Sequence, residues 1–312
     1  MNSSLLPSRL TPCVSIIIPT YNRADTLNRA IDSVLSQDYI DFELIVVDDG
    51  SVDNTQQLLL GYTDPRIVSI KHNVNRGVTA ALNTGLNAMR GEWFTFLGSD
   101  DEMISTALST MLSVLKDISS EINAVTANCI DTTTGELSGK GLNCDQWLDF
   151  ETLITSCTGE HFGITKKSLL GDLRFNEKLR GGESIVWYKI SLHAKRYYIH
   201  KGLRIYHTEG SDRICQKTHS VNIKDRITYY REIAHEVEYL ELLHQYRPLD
   251  YGVVQRNIAL SMVMEGKQKK ARNAYRVAKP FIPYVHRLIL LFALFGGRFA
   301  AQAVINIALK VR

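Results

Sequence analysis

Apolar residues follow two rhythms along the first hundred positions. Short unbroken runs, VSIII from Val14, FELIVV from Phe42, RIVSI from Arg66 and WFTFL from Trp93, each stop at a polar or turn-forming cluster. Between them, apolar positions recur at helical spacing. Leu27, Ala30, Ile31, Val34 and Leu35 share one face of a helix predicted over residues 24–37. Pro19 stops the first run and Asp48-Asp49-Gly50-Ser51 the second, where Asp53 or Ser51 is placed to cap a helix reaching about Leu60. The third run ends near Lys71, and a further helix begins around Gly77.

Such runs, alternating with helices of about a dozen residues, predict a parallel sheet buried on both faces and joined by right-handed crossovers. Ligands of such sheets bind beyond the carboxyl ends of the strands. The chemically loaded residues sit at those ends. They are Pro19-Thr20-Tyr21-Asn22-Arg23, Asp48-Asp49-Gly50-Ser51, Asn75-Arg76-Gly77 and Ser99-Asp100-Asp101, one group after each strand. The acids of FTFLGSDDE are therefore expected to face a cleft.

Composition narrows the class. With 312 residues, 45% hydrophobic and 22% charged, the chain has enough apolar content for one or two ordinary cores. The net charge of +3 calls for no particular partner, nucleic acid included. Its distribution is more telling. Ten Lys/Arg and no Asp or Glu lie between Gly266 and Arg312, leaving 26 bases against 33 acids in the rest. A mildly acidic body with a basic tail points to contact with an anionic surface. Five scattered cysteines without a CxxC pair suit a reduced, cytoplasmic protein, and the first residues lack the apolar core of a signal peptide. No GxGxxG follows the first strand and no GxxxxGK[ST] occurs, which argues against dinucleotide and P-loop sites. His235-Glu236 does not open a zinc motif, because Tyr239 holds the second ligand position, and the stretch reads as plain helix.

Four segments, VSIIIPTYNRADTLNRAIDSVLSQ, FELIVVDDGSVDNT, NRGVTAALNTGL and FTFLGSDD, resemble in order and spacing the nucleotide-sugar-dependent, inverting glycosyltransferases of family 2. The resemblance covers roughly residues 13–210 and is strongest in the first hundred. It implies an α/β class with the GT-A (Rossmann-like) fold, a mostly parallel sheet flanked by helices and followed by a helical C-terminal region. Residues 1–12 then form an N-terminal extension, 13–210 the transferase domain, and 211–312 a helical region with a basic amphipathic tail.

The same resemblance assigns roles. Pro19, Tyr21 and Arg23 would line the nucleotide pocket, Asp49 would bond the edge of uracil or another base, and Arg76 would neutralise phosphate or support the pocket. The family ends its fourth strand in Asp-x-Asp, which holds Mn²⁺ or Mg²⁺ against the donor diphosphate. Here Gly98 replaces the first acid, and Asp100 is the expected metal ligand and donor contact. His207 is a further metal or phosphate candidate. Ser184 stands where the family carries its Asp base, so Glu183 is the expected base, with Glu160 or His161 in reserve. Gly181 and Gly182 leave room for an acceptor, and His161 and Asp101 are expected on the acceptor side.

Past about Ser211 the pattern turns helical. Pro280 and Pro283 break it, and Leu288 to Gly297 gives an apolar run about half the length a membrane span needs. Arg298, Gln302, Asn306 and Lys310 form a polar stripe beyond it. Such a tail suits peripheral contact with a membrane, or docking on the body or on a second subunit. The expected activity is sugar transfer from a nucleoside diphosphate sugar, UDP foremost, to a saccharide hydroxyl. The acceptor would be lipid-carried, at the inner face of a bacterial membrane, in surface polysaccharide synthesis. The alternative is a nucleotide-sugar-binding subunit, impaired in catalysis, that scaffolds a partner transferase.

Overall fold

The computed structural model describes residues 11–179, 181–208 and 223–310. They fall into two compact units, the first holding residues up to 177 and 182–208, the second the helices from residue 223 onward.

The first unit opens with β1 (Val14–Thr20), α1 (Leu27–Leu35), β2 (Phe42–Asp48), α2 (Thr55–Leu60), β3 (Ile67–Lys71), α3 (Val78–Ala88) and β4 (Trp93–Phe96). β1 pairs in parallel with both β2 and β4, and β2 with β3. Side chains alternate between two layers, as the period of a strand requires. Ile16, Ile18, Leu44 and Val46 pack with Leu27, Ile31 and Val34 of α1. Ile17, Ile45 and Val47 pack on the other face with Ala81, Leu82 and Leu86 of α3. Both faces are covered, which is why these strands read as unbroken apolar runs.

One acid breaks the run. Glu43 on β2 is buried, and its carboxylate accepts hydrogen bonds from Ser15 Oγ (2.6 Å), the Arg90 N–H (2.6 Å) and Arg90 Nε (2.8 Å). Full satisfaction makes that burial tolerable.

The sequence did not separate the strands after residue 100. They are β5 (Glu102–Met103), β6 (Ala124–Asp131), β7 (Gln146–Leu148), β8 (His161–Lys166) and β9 (Arg196–Tyr206), interleaved with α4 (Ala107–Asp117), α5 (Phe150–Ser156), α6 (Lys167–Leu170) and α7 (Glu183–Leu192). The strand order is β3-β2-β1-β4-β8-β6-β9-β5, with β7 beside β9. β8 is antiparallel to both β4 and β6, β5 and β7 are antiparallel to β9, and β6 and β9 are parallel, so the sheet is mixed, with an all-parallel run only in its N-terminal half. Arg204-Ile205-Tyr206 ends β9, just before His207. Glu209, Gly210, Ser211 and Arg180 lie outside the described residues. Cys13, Cys129, Cys144 and Cys157 are free thiols.

In the second unit, α8 (Ile223–Ile233), α9 (Val237–Tyr246), α11 (Gln268–Ala278) and α12 (Tyr284–Lys310) pack on the central α10 (Pro248–Met264). Near its end α10 buries Ile258, Ala259, Leu260, Met262 and Val263 in succession, all round its circumference, as a central helix must. His235-Glu236 falls in the turn between α8 and α9, a break in the helix the sequence suggested there. Pro280 sits in a single 3-10 turn, and α12 starts after Pro283. By length and composition Tyr284–Asn306 is apolar enough to cross a bilayer, a longer stretch than the ten-residue run stood for. Gly297, at φ 66°, interrupts its helical path.

Replacing Glu43 by Ala strands the Ser15 hydroxyl and the Arg90 N–H against a dry sheet. A loss of about 2–3 kcal/mol is expected in urea unfolding of the variant, with little change in the slope against denaturant.

Candidate active site

Parallel pairing brings the carboxyl ends of β1, β2, β3 and β4 to one edge, and buried side chains tie their loops together. Asp49 is the principal tie. Its Oδ1 lies 2.7 Å from His72 Nδ1 and accepts the Arg76 N–H at 2.9 Å, while Oδ2 accepts the Gly77 N–H at 2.7 Å. His72 is itself buried and reaches Thr84 Oγ1 at 2.9 Å. A carboxylate has about four acceptor positions, so three filled here leave one for an incoming donor. Asp48 faces inward, accepting from the Ser51 N–H at 2.8 Å. Ser51 Oγ in turn receives the Asn22 N–H, and Asp53 receives those of Ala24 and Thr55, so these two residues tie the β1 loop to the β2 loop. Pro19 lies within β1, one residue before its end at Thr20, Tyr21 is exposed, and the Arg76 side chain reaches Glu177 at 3.0 Å.

The three acids after β4 have unequal surroundings. The Asp101 N–H closes a turn onto the Gly98 carbonyl at 3.1 Å. A Cβ at position 98 would lie 2.7 Å from Asp101 Oδ2 and 3.0 Å from Asp100 Oδ1, so a side chain there would push the two carboxylates aside. Asp100 stays partly open, 4.0 Å from Arg23, while Arg29 donates to its carbonyl. Asp101 turns inward, only 6% of its side chain exposed, accepting the His207 N–H at 3.1 Å and lying 3.6 Å from Arg204 Nε. Burial pushes its carboxyl above the usual carboxylate range, and the Arg204 guanidinium opposes that shift. Glu102 lies 2.7 Å from His207 Nε2 and 3.6 Å from Arg29. With Nε2 engaged there, His207 Nδ1 is buried with no partner among the described residues.

Arg204 links this cluster to a cleft. It pairs with Glu160 at 3.0 Å and lies against the rings of Phe162 and Tyr206 at 5.9 and 5.2 Å. The cleft has a volume of about 510 Å³, within the range of small-molecule sites. Pro19, Gly98, Glu160, His161, Ser184, Trp187 and Arg204 are in its wall. Glu183, the first residue of α7, is not in that wall although its neighbour Ser184 is. His161 donates to the Gly159 carbonyl, leaving Nε2 as a buried, unpartnered acceptor, and burial holds its pKa below the ordinary 6.5.

No group of three or more His, Cys, Asp or Glu able to hold a metal occurs among the described residues. A hard cation shared with a diphosphate does not require one, since Mg²⁺ commonly keeps one or two carboxylates, substrate oxygens and water. Asp100, open to solvent, and His207 Nδ1, with a vacant lone pair, fit that chemistry. His72, Arg29, Glu102 and the Arg204 bridge escaped sequence reasoning. Each depends on a partner distant in sequence and carries no local motif.

The family model described as Glycosyl transferase family 2 matches residues 15–165. A GalNAc(5)-diNAcBac-PP-undecaprenol beta-1,3-glucosyltransferase of Campylobacter jejuni is 38% identical over 213 residues, 65% of this chain and 67% of its own. In fold, the chain is similar to Staphylococcus aureus TarS in complex with UDP-GlcNAc, with TM-score 0.64 and 18% identity over 96% of this chain and 92% of that one. It is also similar to the Pyrobaculum calidifontis mannosyltransferase PcManGT in complex with GDP-Man and Mn²⁺, with TM-score 0.51 and 20% identity over 96% and 87%. The motifs at the strand ends, the mixed sheet that presents them and these relatives agree: the chain belongs to glycosyltransferase family 2 and is a glycosyltransferase of the GT-A fold.

Proposed function

We propose that the chain transfers a hexose, glucose foremost, from its UDP conjugate to a hydroxyl of a saccharide carried on undecaprenyl diphosphate, with inversion at the anomeric carbon. The observation that carries this reading is the shared edge on which the Asp49-anchored loop, the open Asp100 carboxylate and the cleft wall at Gly98 meet. The named activity of the Campylobacter relative supplies the sugar and the carrier.

In this reading Pro19, Tyr21, Arg23 and Arg76 surround the nucleotide, and the vacant acceptor position of Asp49 takes an N–H of the uracil edge. Asp100 and His207 Nδ1 would hold Mn²⁺ or Mg²⁺, which when bound supplies charge stabilisation for the leaving UDP. The acceptor lies in the cleft beside His161, with Asp101 acting there through the arginine it shares with Glu160. Glu183 takes the acceptor proton while the hydroxyl oxygen bonds to the anomeric carbon and the bond to UDP breaks. A second reading gives that role to Glu160, because Glu160 and not Glu183 is in the cleft wall. An acceptor on a lipid carrier places the enzyme at the inner face of the cell membrane, in peripheral contact through its C-terminal segment.

Calorimetric titration of UDP tests the donor site. Mn²⁺ should tighten binding in the native protein and give no gain in Asp100→Ala. Equal binding with and without metal would instead favour a nucleotide-sugar-binding subunit without catalysis. Transfer rates decide the base. Glu183→Gln should lose about 10²–10⁴-fold in kcat and Glu160→Gln about tenfold or less, and the reverse order moves the role to Glu160.

The pKa of His161 adds a stability test. It is lowered on folding, so its contribution is present above the ordinary 6.5 and lost as pH falls through the folded value. Between about pH 7.5 and 5.5, the Tm of His161→Gln should therefore fall less than that of the native protein, by a few degrees.

A further inference from the structure

One face of α12 is apolar where a packed soluble helix is normally polar. Val285, Leu288, Ile289, Phe292, Phe295 and Phe299 are all exposed, the last two to 85% and 91%. Helical spacing puts Val285 to Phe295 of this set on one side of the limb before Gly297, opposite the buried Leu290, Ala293 and Leu294, and beyond the break Phe299 is exposed while Ala301 is buried. The helix thus meets its neighbours with one apolar face and presents a second. Arg298, between the two most exposed phenylalanines, is itself exposed and donates from Nε to the Met264 carbonyl at 2.7 Å, which ties its guanidinium to the end of α10.

Charge says what covers it. All Asp and Glu residues of the described helices lie at or before Glu265, and the ten bases after it have no acid among them. Lys269, Lys270, Arg272 and Arg276 are exposed on α11, which packs against α12. A second copy of the chain seated on this face would set one cationic segment against another, which is unfavourable. An apolar interior beneath an anionic surface matches both properties, and that is an anionic bilayer. The break at Gly297 decides how the helix meets it. The limb from Tyr284 to Gly296 is 13 residues, about 20 Å long, against a hydrocarbon core of about 30 Å.

We propose that α12 lies in the headgroup–acyl boundary of an anionic bilayer without crossing it, anchored by Phe292, Phe295 and Phe299 around the Gly297 break and flanked by the bases of α11. This deepens the membrane contact of the proposed function and rests on that reading only for the identity of the acceptor. The surface stands on its own residues.

The test is sedimentation of the full chain with vesicles of phosphatidylcholine alone and of phosphatidylcholine with about one third phosphatidylglycerol, at about physiological salt. The native chain should bind the anionic vesicles at least about tenfold more tightly. Phe295→Ser with Phe299→Ser should weaken binding to anionic vesicles about tenfold or more, whereas Lys269→Gln with Lys270→Gln and Arg272→Gln should remove chiefly the preference for phosphatidylglycerol. Far-UV circular dichroism and thermal unfolding of the same variants, unchanged from the native chain, show that the helical unit is folded. Equal binding to the two vesicle types, or native-like binding by the Phe variant, overturns the proposal. So does a Phe variant that changes a dimer to a monomer in light scattering while vesicle binding persists. Resistance of membrane-bound chain to alkaline carbonate extraction would show a span and overturn it too. Vesicle binding without UDP binding defeats the assignment of a UDP-sugar donor alone.

Discussion

A carboxylate buried at the end of a strand has to find its donors inside the protein, and Asp49 finds them in the loops that the site is made from. It draws His72 of the β3 end and the N–H groups of Arg76 and Gly77 onto the β2 end, fixing where α3 begins and where the Arg76 side chain starts. An unpaired charge at that depth would cost several kcal/mol, so the loop conformation and the burial of the acid are one condition. Because β1, β2, β3 and β4 run parallel, every loop so constrained lies on the same edge.

The acids after β4 show how neighbouring identical groups acquire different roles. Glycine at position 98 lets the turn fold against Asp100 and Asp101. Within it, Asp100 remains accessible, Asp101 is drawn under the guanidinium of Arg204, and Glu102 is taken by His207. Two arginines, Arg29 and Arg204, attach this cluster to α1 and β9, so the loss of the family's first acid leaves a site still held by its surroundings. The same Arg204 carries Glu160 in the cleft wall, joining acid cluster and cleft through one buried cation.

The helical unit has its own logic. α10 is enclosed because its final turns are apolar all round, and the helices around it each contribute one buried face. α12 has more apolar surface than that packing uses, and Gly297 prevents the helix from continuing as one straight rod.

By itself the sequence determined the N-terminal half of the sheet, the edge where the chemistry gathers and the family. Local physics sets these: unbroken apolar runs, helical spacing, and turn residues at fixed offsets. It also identified Asp49, Asp100 and His207 as residues of interest, through motifs that are contiguous in the chain. Tertiary structure decided the rest. The later strands are short, half-exposed or antiparallel, so β5, β7 and β8 have no apolar run long enough to read. The carboxyl of Asp101 and the vacant nitrogen of His207 become chemically distinct only after Arg204 and Glu102 arrive from far along the chain. The outward face of α12 follows the same rule. Composition shows that the segment is apolar, but only packing selects which half of it is covered and which half is left exposed.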